Sequence, residues 1–434
     1  MIGSGALRVG MGSGAEEEQE VRLAIVGAGV SGLVCAHLLS ERHDVTLYEA
    51  NDYAGGHTHT VRVDTENETH RVDTGFIVLN DRTYPRFQRL LARLGVATQP
   101  SDMSFSVSDG ADFEYNGASP NGLFARRSNL ARPSFHRMVR DLLRFRREAP
   151  SLIGLNGSGP SLGEFLDDGG YSPEFVQRLI VPQASAVWSA DPASMWEFPA
   201  SMLAEFFANH GMFGLNGRPS WLTVSGGSDR YVEAIVKPLG ERLRLSTPVV
   251  RVERREDRVE VTPAGCEPEW FDELVLAVHS NQALRMLADP TGAEAEVLGA
   301  IPYQQNEAVL HTDSSLLPRR RRAWASWNFH LRDEPVGRTT VTYHMNRLQS
   351  VRAERELCVT LNQTEAIDPD KVIKAIRYDH PVYTPAGLAA QRRWNEVSGV
   401  GRTHYCGAYW GYGFHEDGVA SALRVGAAFG ASLA

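Results

Sequence analysis

Residues 21–49, VRLAIVGAGVSGLVCAHLLSERHDVTLYE, constrain the fold of this chain more than any other stretch. The apolar run at 23–26 has the length and β-branched content of a buried strand, and it leads straight into a complete G-x-G-x-x-G at 27–32. Apolar residues at helical spacing follow, and a second strand at 44–48 ends in Glu49. This order predicts a strand–helix–strand unit that binds a dinucleotide. A glycine-rich turn without a ligand is the alternative interpretation.

Each glycine of this motif has a mechanical reason. Gly27 permits the tight turn, Gly29 lets the backbone approach a pyrophosphate, and Gly32 lets the helix pack close to the strand. The phosphates are expected at the helix N-terminus, where free N–H groups and the positive end of the dipole favour an anion. Glu49, twenty-two positions after Gly27, is placed to accept hydrogen bonds from a ribose diol.

The composition restricts the class of protein. A chain of 434 residues predicts two or more domains, and 42% apolar with 22% charged residues is typical of a soluble globular protein. The net charge of −9 argues against a nucleic-acid partner. No run of about 18 apolar residues is present that could span a membrane.

The N-terminal segment and the cysteines bear on localisation. Residues 1–20 are rich in Gly and Ser and then acidic, without the basic start and apolar core of a signal peptide. We therefore expect a flexible leader and a cytoplasmic protein. The four scattered cysteines have no metal-binding spacing, which predicts reduced thiols.

Three further segments carry chemical signals. A Gly-Gly pair at 55–56 precedes His57-Thr58-His59, whose i, i+2 spacing would place both rings on one face of a strand but supplies no further ligands for zinc. The segment 187–221 is rich in aromatic residues and Met, which predicts ordinary core or, alternatively, the wall of an apolar substrate cavity. The run at 319–322 is four consecutive arginines.

Four of these pieces together match a family. They are the fingerprint through Glu49, the Gly55-Gly56 pair, Asp73-Thr74-Gly75-Phe76, and CGAYWGYGFHEDG at 406–418. Over residues 21–434 the chain resembles FAD-dependent oxidoreductases of the flavin amine-oxidase superfamily. The blocks GGHTHT, VDTGFIVLN, QPSDMSFSVS and PRRRRAWASWN are most similar to a bacterial branch that resembles the flavoproteins of methyl-branched and furan fatty acid formation, which desaturate a methylated acyl chain.

The resemblance implies an α/β fold: a Rossmann-type FAD-binding domain of the p-hydroxybenzoate-hydroxylase and amine-oxidase kind, with an inserted α+β substrate domain. The FAD-binding domain is expected at 21–80, 220–300 and 396–434, and the substrate domain at 81–219 and 301–395. No cysteine occupies the usual covalent position, so FAD is expected to bind non-covalently. The implied cofactor-binding residues are Gly27, Gly29, Val30, Ser31, Gly32, Glu49, Ala50, Gly55, Gly56, His57, Thr74, Gly75, Phe76, Val249, Gly407, Gly413, Phe414 and His415.

Two departures from the family pattern are informative. Many members have an R-x-G-G-R pattern, whereas here Tyr53 and His57 replace the two arginines, which puts a direct phosphate clamp in doubt. Amine oxidases usually place a Lys in the strand corresponding to 306–310, where it holds a water against the flavin N5, and this strand has none. That absence favours C–C desaturation over oxygen-dependent amine oxidation.

A flavin dehydrogenase needs a positioned substrate C–H, a nearby base and exclusion of water. The candidate catalytic residues are His57, His59, Tyr343, His344, Tyr409 and His415. The expected reaction is hydride transfer to flavin N5 from a hydrophobic substrate, with a methylated fatty acyl chain preferred. The alternatives are an amine or amino-acid oxidase, and a non-catalytic flavin-containing protein that binds a lipid or a partner.

The arginines at 319–322 have two interpretations. They lie beside Trp324 and could contact the headgroups of an anionic membrane at its inner face, or they form a solvated loop. The expected partner is a hydrophobic small molecule or a lipid acyl substrate. The oligomeric state stays open.

Overall fold

The computed structural model describes residues 20–64, 68–155, 159–214, 217–332 and 337–433. The leader predicted for 1–20 lies outside the described residues, except for Glu20. No helix in the described ranges is both long and apolar enough to cross a membrane.

The described chain alternates short strands with helices. The strands are β1 (Arg22–Val26), β2 (Asp44–Tyr48), β3 (Thr60–Asp64), β4 (Thr69–Asp73), β5 (Val78–Asn80), β6 (Thr98–Pro100), β7 (Phe105–Ser108), β8 (Glu114–Asn116), β9 (Trp221–Val224), β10 (Leu243–Arg244), β11 (Val249–Arg254), β12 (Val259–Pro263), β13 (Glu269–Phe271), β14 (Glu273–Leu276), β15 (Tyr303–His311), β16 (Trp327–His330), β17 (Val341–His344), β18 (Cys358–Leu361), β19 (Val372–Pro381) and β20 (Thr403–Tyr405). The helices are α1 (Val30–Leu39), α2 (Pro85–Arg93), α3 (Pro120–Leu123), α4 (Pro133–Glu148), α5 (Leu162–Asp168), α6 (Pro173–Phe175), α7 (Val181–Trp188), α8 (Ala200–Asn209), α9 (Asp229–Leu239), α10 (Ser280–Met286), α11 (Gly292–Gly299), α12 (Met345–Leu348), α13 (Pro385–Gln391), α14 (Trp394–Val397) and α15 (His415–Ala428).

The nucleotide-binding half is built on a five-stranded parallel sheet with the order β10-β2-β1-β14-β20. Strand β1 is central and almost completely buried, and it leads into α1 as the sequence predicts. Helix α15 packs on α1, so the C-terminal segment returns to the first strand–helix unit. The predicted α/β fold with a Rossmann-type FAD-binding domain is confirmed.

A second, mixed sheet of seven strands has the order β19-β15-β18-β17-β16-β7-β8. Strand β15 pairs with β19 along nearly its whole length, and β8 is the edge strand at the opposite side. Every strand of this sheet comes from the segments assigned to the substrate domain. A three-stranded sheet β5-β9-β6 joins segments from both proposed domains, and the division into two domains stays a prediction.

Helices α4–α8 surround the largest apolar cluster of the protein. Most large side chains of the aromatic-rich segment are buried there, including Trp188, Phe198 and Phe206, which accords with the prediction of core. Tyr412 and Phe414 of the C-terminal loop pack against this same cluster. The apolar cluster therefore adjoins the loop that the family resemblance places beside the flavin.

Candidate active site

The glycine-rich turn has the predicted geometry. Gly27 has φ +101° and its N–H donates to the Tyr48 carbonyl at 2.8 Å, which closes the turn between the two parallel strands. A Cβ on Gly32 would overlap the Gly27 carbonyl oxygen, so only glycine allows α1 to pack this closely. The mechanical roles predicted for Gly27 and Gly32 are confirmed.

The second glycine pair packs against the first. The Gly55 N–H donates to the Ala28 carbonyl at 2.8 Å, and a Cβ on Gly56 would lie 3.2 Å from the Gly29 Cα. Gly29 is the N-cap of α1, where no side chain caps the helix, and a Cβ on Gly29 would meet nothing within 4 Å. The N-terminus of α1 is thus uncapped and has open space beside Gly29, an arrangement suited to a phosphate.

Glu49 holds this turn by hydrogen bonds and has one acceptor position left for a ligand. One carboxylate oxygen accepts from the Ala28 N–H at 2.7 Å, and the other accepts from the Asn51 backbone and side chain at 2.9 and 2.8 Å. Since a carboxylate offers about four acceptor positions, one remains for a ribose hydroxyl. The Glu49 carbonyl accepts from the Thr247 N–H at 2.8 Å, which brings the segment leading to Val249 beside it.

Other predicted cofactor residues have structural partners. Ser31 in α1 donates to the Gly418 carbonyl at 3.1 Å and so ties α1 to α15. Val249 is buried at the start of β11, whereas Ala50 is exposed. Val30 is half-buried at the first position of α1.

Three histidines from distant parts of the chain come together. The ring of His57 lies 5.2 Å from that of His380 and 6.0 Å from that of His279, centroid to centroid. Tyr378 stacks on His57 at 4.9 Å, and Tyr303 stacks on His279 at 4.6 Å. We call these five residues the histidine cluster. The sequence analysis predicted only His57, because the other four have no local motif.

Burial lowers the pKa of all three histidines. The pKa of His279 falls to about 3 and that of His380 lies well below its usual value, in both cases chiefly through desolvation, with the neighbouring histidines adding to the effect. Burial also lowers the pKa of His57, partly offset by Asp379 and a hydrogen bond to the Asp379 backbone. The three imidazoles are therefore neutral at pH 7.

Some polar atoms of the cluster lack a partner. Nε2 of His57 and Nδ1 of His279 are buried without a hydrogen bond. Since Nε2 of His57 has no partner, we assign the bond to the Asp379 backbone to Nδ1–H, which leaves the lone pair of the neutral ring on Nε2, where it can accept a proton.

Asn306 lies in β15, the strand in which the family resemblance leads us to expect a lysine. It is completely buried in β15, and its amide donates to Nδ1 of His380 and to the Ser189 carbonyl, each at 2.9 Å. Its side-chain oxygen accepts from Asn362 at 2.8 Å. The polar contacts of this position are thus taken up by protein groups. Asn306 was not among the predicted site residues, although the missing lysine pointed to its strand.

His59 flanks the cluster. It stacks on Tyr53 at 4.3 Å, and its ring nitrogens lie 3.4 Å from the Tyr378 hydroxyl and 3.5 Å from Nζ of Lys374. Burial and Lys374 lower the pKa of His59 to about 4. Both His57 and His59 therefore meet Tyr378, although 57–59 form a loop and not the strand that the spacing suggested.

The segment 73–76 connects the cluster to the C-terminal helix. The Thr74 hydroxyl contacts the Tyr378 hydroxyl at 2.9 Å, and a Cβ on Gly75 would overlap the His57 carbonyl oxygen. The ring of Phe76 stacks on His415 at 3.5 Å.

His415 is held by its own hydrogen bonds. Its Nε2 lies 2.8 Å from the Thr58 hydroxyl and 3.1 Å from the Tyr231 hydroxyl, and burial holds its pKa well below the usual value. His415 is therefore a neutral, packed residue at the start of α15, close to the His57 loop through Thr58.

The C-terminal loop contributes a second set of unpartnered polar atoms. The Tyr383 hydroxyl is buried without a hydrogen bond, and the buried Tyr409 hydroxyl and Trp410 Nε1 have no partner beyond each other. Burial is the main cause of the raised pKa of both tyrosines, and the neighbouring Tyr303 raises each of them further. Gly413 has φ +89°, and a Cβ there would lie 2.5 Å from the Tyr383 hydroxyl. Gly407 is buried under the Tyr409 ring.

Tyr343 and His344 point away from each other on β17. Tyr343 packs on Trp327 at 4.9 Å, and a hydrogen bond links its hydroxyl to Ser189 on the side of Asn306. His344 instead bonds Glu356 at 2.7 Å and lies edge-on to Trp324. The structure therefore brings Tyr343 towards the histidine cluster, and it places His344 beside the arginine loop.

These observations fit an FAD molecule. Several predicted cofactor residues keep part of their surface accessible within an otherwise dense interior, as residues that line a narrow cleft do: Gly27, Gly29, Val30, Gly56, His57, Gly75, Gly413 and Phe414. The uncapped helix α1 and Glu49 suit the pyrophosphate and ribose. The unpartnered atoms of the histidine cluster and the C-terminal loop require donors and acceptors that a flavin ring carries.

The thiol of Cys406 is directed away from this cleft. Its Sγ lies 3.7 Å from the Sγ of Cys35 in α1, inside the core of the nucleotide-binding half. The expectation of non-covalent FAD agrees with this placement.

Comparison with known proteins gives a consistent result. A family model described as Flavin containing amine oxidoreductase matches residues 30–318. The sequence is 23% identical over 321 residues to the L-amino-acid oxidase of Gloydius halys, a match that covers 67% of this chain and 58% of that protein. The chain thus aligns with little more than half of the length of that relative.

Two solved structures share the fold. The cyclohexylamine oxidase from Brevibacterium oxydans superposes with a TM-score of 0.67 at 17% identity and covers 95% of this chain and 99% of that one. The CLA-producing fatty acid isomerase from P. acnes superposes with a TM-score of 0.63 at 17% identity and covers 93% and 97% of the two chains. At such identities the likeness establishes the fold alone.

Proposed function

This chain belongs to the flavin containing amine oxidoreductase family, and from this premise we propose that it is an oxidoreductase that dehydrogenates a hydrophobic substrate. Its cofactor is FAD. The substrate that we favour is a fatty acyl chain with a methyl branch, and the product is then the corresponding unsaturated chain.

The observation that carries this proposal is Asn306. By the family resemblance, an amine oxidase carries a lysine in this strand, β15, whose ammonium holds a water against the flavin N5. The Asn306 amide is instead bonded to His380 and to the Ser189 carbonyl, both at 2.9 Å, and carries no charge. A neutral, protein-bonded group at this position suits a site that must exclude water from an apolar substrate.

The apolar residues packed against the C-terminal loop also support a hydrophobic substrate. Phe414 of the C-terminal loop stacks on Phe206 of the helical cluster at 5.6 Å, and the Trp188 Nε1–H donates to the Tyr412 carbonyl at 3.2 Å. This apolar cluster is thus continuous with the C-terminal loop, which the family resemblance leads us to expect beside the cofactor. An acyl chain gains about 0.8 kcal/mol per CH₂ buried in such surroundings.

The chemistry requires the removal of two hydrogens from adjacent carbons, one as hydride and one as a proton. FAD, when bound, accepts the hydride. His57 is the group that we assign to the proton, because its Nε2 is unprotonated and without a partner. Tyr378 stacks on the His57 ring at 4.9 Å and holds it in place. The hydride leaves with its own electron pair, and the electron pair of the C–H bond that loses its proton forms the new C=C bond.

Oxidation of an amine or amino acid is the second candidate. It is favoured by the family and by the relatives named L-amino-acid oxidase and cyclohexylamine oxidase. A third possibility, from another class, is a flavin-containing protein that binds a lipid or a partner without turnover.

The test is anaerobic mixing of the purified holoprotein with candidate substrates while the flavin absorbance band is followed. We expect bleaching by a phospholipid with methyl-branched acyl chains, and none by a panel of primary amines and L-amino acids. Bleaching by amines alone would establish the second candidate. A flavin that dithionite reduces but no substrate bleaches would favour the third. The same lipid with unbranched saturated chains is the control for the methyl branch.

A further inference from the structure

A pocket on the protein surface is lined by five arginines from two distant segments. It has a volume of about 530 Å³, and its lining consists of Ala125, Arg126, Arg127, Ser128, Arg320, Arg321 and Arg322. The sequence analysis singled out only the run at 319–322. The structure adds Arg126 and Arg127, nearly two hundred residues earlier in the chain.

The pocket is a built feature at the edge of the seven-stranded sheet. Edge strand β8 lies beneath it: Glu114 in β8 bonds the Arg320 side chain, and Asn116 donates to the Trp324 carbonyl at 2.8 Å. The segment that carries Arg126 and Arg127 is tied to the same strand, because Asn129 donates to the Glu114 carbonyl at 3.3 Å. Both arginine segments are therefore held in register by one strand.

Positive charge is in excess here. Three carboxylates lie within ion-pair distance of these arginines: Asp112 pairs with Arg126, Glu114 with Arg320, and Glu356 approaches Arg321 at 4.0 Å. The Arg127 guanidinium donates hydrogen bonds to two neutral groups, the Phe124 carbonyl and the Asn121 side-chain oxygen. A local surplus of arginine in a chain of net charge −9 marks a site for an anion.

The pocket faces outwards rather than enclosing a small ion. The side chain of Arg321 is 83% exposed and that of Arg320 is 44% exposed. Leu130, in the same 3₁₀ turn as Arg127 (Arg127–Ala131), is 53% exposed. Exposed arginines around an open pocket, with an exposed leucine in the turn that begins at Arg127, match a phosphate-bearing surface with an apolar interior.

We propose that this arginine pocket docks the protein on a membrane that contains anionic phospholipids, with headgroup phosphates bound by Arg127, Arg321 and Arg322 and with Leu130 at the lipid boundary. The proposal does not depend on which substrate the flavin oxidises. Binding is peripheral and electrostatic, so it weakens as salt is raised.

The experiment is co-sedimentation of the full-length holoprotein with vesicles of phosphatidylcholine alone or with 30% phosphatidylglycerol, an amount of about one anionic lipid in three. Wild-type protein is expected to bind the anionic vesicles at low salt and to bind phosphatidylcholine vesicles weakly. At about one factor of five per basic residue near the surface, the variant Arg321→Gln/Arg322→Gln is expected to bind the anionic vesicles roughly 30-fold more weakly.

The matched control removes the same charge elsewhere. Arg89 and Arg285 are exposed arginines on α2 and α10, so Arg89→Gln/Arg285→Gln is expected to bind like wild type. The flavin spectrum and the thermal midpoint of both variants report that the fold is kept. Equal weakening by the control variant would indicate a net-charge effect and would overturn the proposal.

Two other results would also overturn it. Unchanged vesicle binding by Arg321→Gln/Arg322→Gln would remove the pocket from the interaction. Saturable binding of inorganic phosphate in calorimetry, lost in this variant but without any vesicle binding by wild type, would assign the pocket to a soluble phosphate.

Discussion

Asn306 donates a hydrogen bond to Nδ1 of His380 at 2.9 Å, which links the strand that usually carries the family's lysine to the histidine cluster. Since Nδ1 of His380 accepts this bond, His380 is held as the neutral tautomer with its proton on Nε2. Burial also lowers the pKa of His380, which favours the neutral ring as well. The asparagine and the histidines thus form one uncharged unit.

Replacement of Asn306 by Leu should damage this unit. The change keeps the approximate volume but leaves the Ser189 carbonyl and the Asn362 amide without their partner, which costs about 1–3 kcal/mol. We expect a lower midpoint in chemical unfolding and slower anaerobic flavin reduction. Gln305→Leu is the control, because Gln305 is the exposed neighbour on the same strand. Equal effects of the two substitutions would contradict the role given to Asn306.

The acid limb of the pH profile should belong to His57. Burial lowers the pKa of His57 below its ordinary value of 6.5, and only the neutral ring can accept a proton. The rate of flavin reduction should therefore be flat from pH 8 to 6.5 and fall only at lower pH. His57→Gln should remove this limb and slow reduction by about 10²–10⁴-fold while FAD stays bound. A rate that falls already between pH 8 and 7 would exclude His57 as the base.

Structural elements whose signal lies within a single segment could be predicted from the sequence. The first strand–helix–strand unit was predicted, because its apolar periodicity and its glycine motif lie within one segment. The histidine cluster was not, since His279 follows β14 while His380 ends β19, and only the sheet order brings them to the His57 loop.

The segment at 341–346 is a second case in which contacts distant in sequence decide the structure, here the end of a strand. Its β-branched and aromatic residues favour a strand throughout, but β17 ends at His344. The side chain of Asn346 instead accepts from the Leu357 N–H at 2.6 Å and donates to the Arg355 carbonyl at 3.1 Å. These partners lie about ten residues away, so the propensity of the segment itself gave no sign of the turn.

His279 should make the protein less stable in acid. Its pKa is about 3 in the folded protein against 6.5 in the unfolded chain, so the unfolded state binds more protons as the pH falls from 6.5. The resulting loss in free energy of unfolding at pH 5 is about 1–2 kcal/mol. His279→Phe keeps the stacking on Tyr303 but cannot be protonated. We expect urea unfolding of this variant to lose less stability between pH 7 and 5 than wild type does.

Comparing wild type with His279→Phe cancels the contributions that other titratable groups make to the pH dependence of stability. Burial raises the pKa of Asp73 to about 7, so this carboxyl acts in the opposite sense and favours the folded state at low pH. Because Asp73 is present in both proteins, the difference between their pH profiles isolates His279. Identical profiles would show that His279 keeps an ordinary pKa.

Alanine at two glycines of the fingerprint should separate folding from cofactor binding. A Cβ on Gly32 would overlap the Gly27 carbonyl oxygen, so Gly32→Ala must displace α1 and should lower the free energy of unfolding of the apoprotein by about 1–3 kcal/mol or more.

A Cβ on Gly29 meets no protein atom within 4 Å, so Gly29→Ala should leave the thermal midpoint of the apoprotein within a degree or two of wild type. The same methyl group would occupy the space before the N-terminus of α1, where a pyrophosphate must approach the backbone. We expect fluorescence titration with FAD to show at least about tenfold weaker binding for Gly29→Ala. Unchanged FAD affinity in a normally folded Gly29→Ala protein would place the phosphates elsewhere.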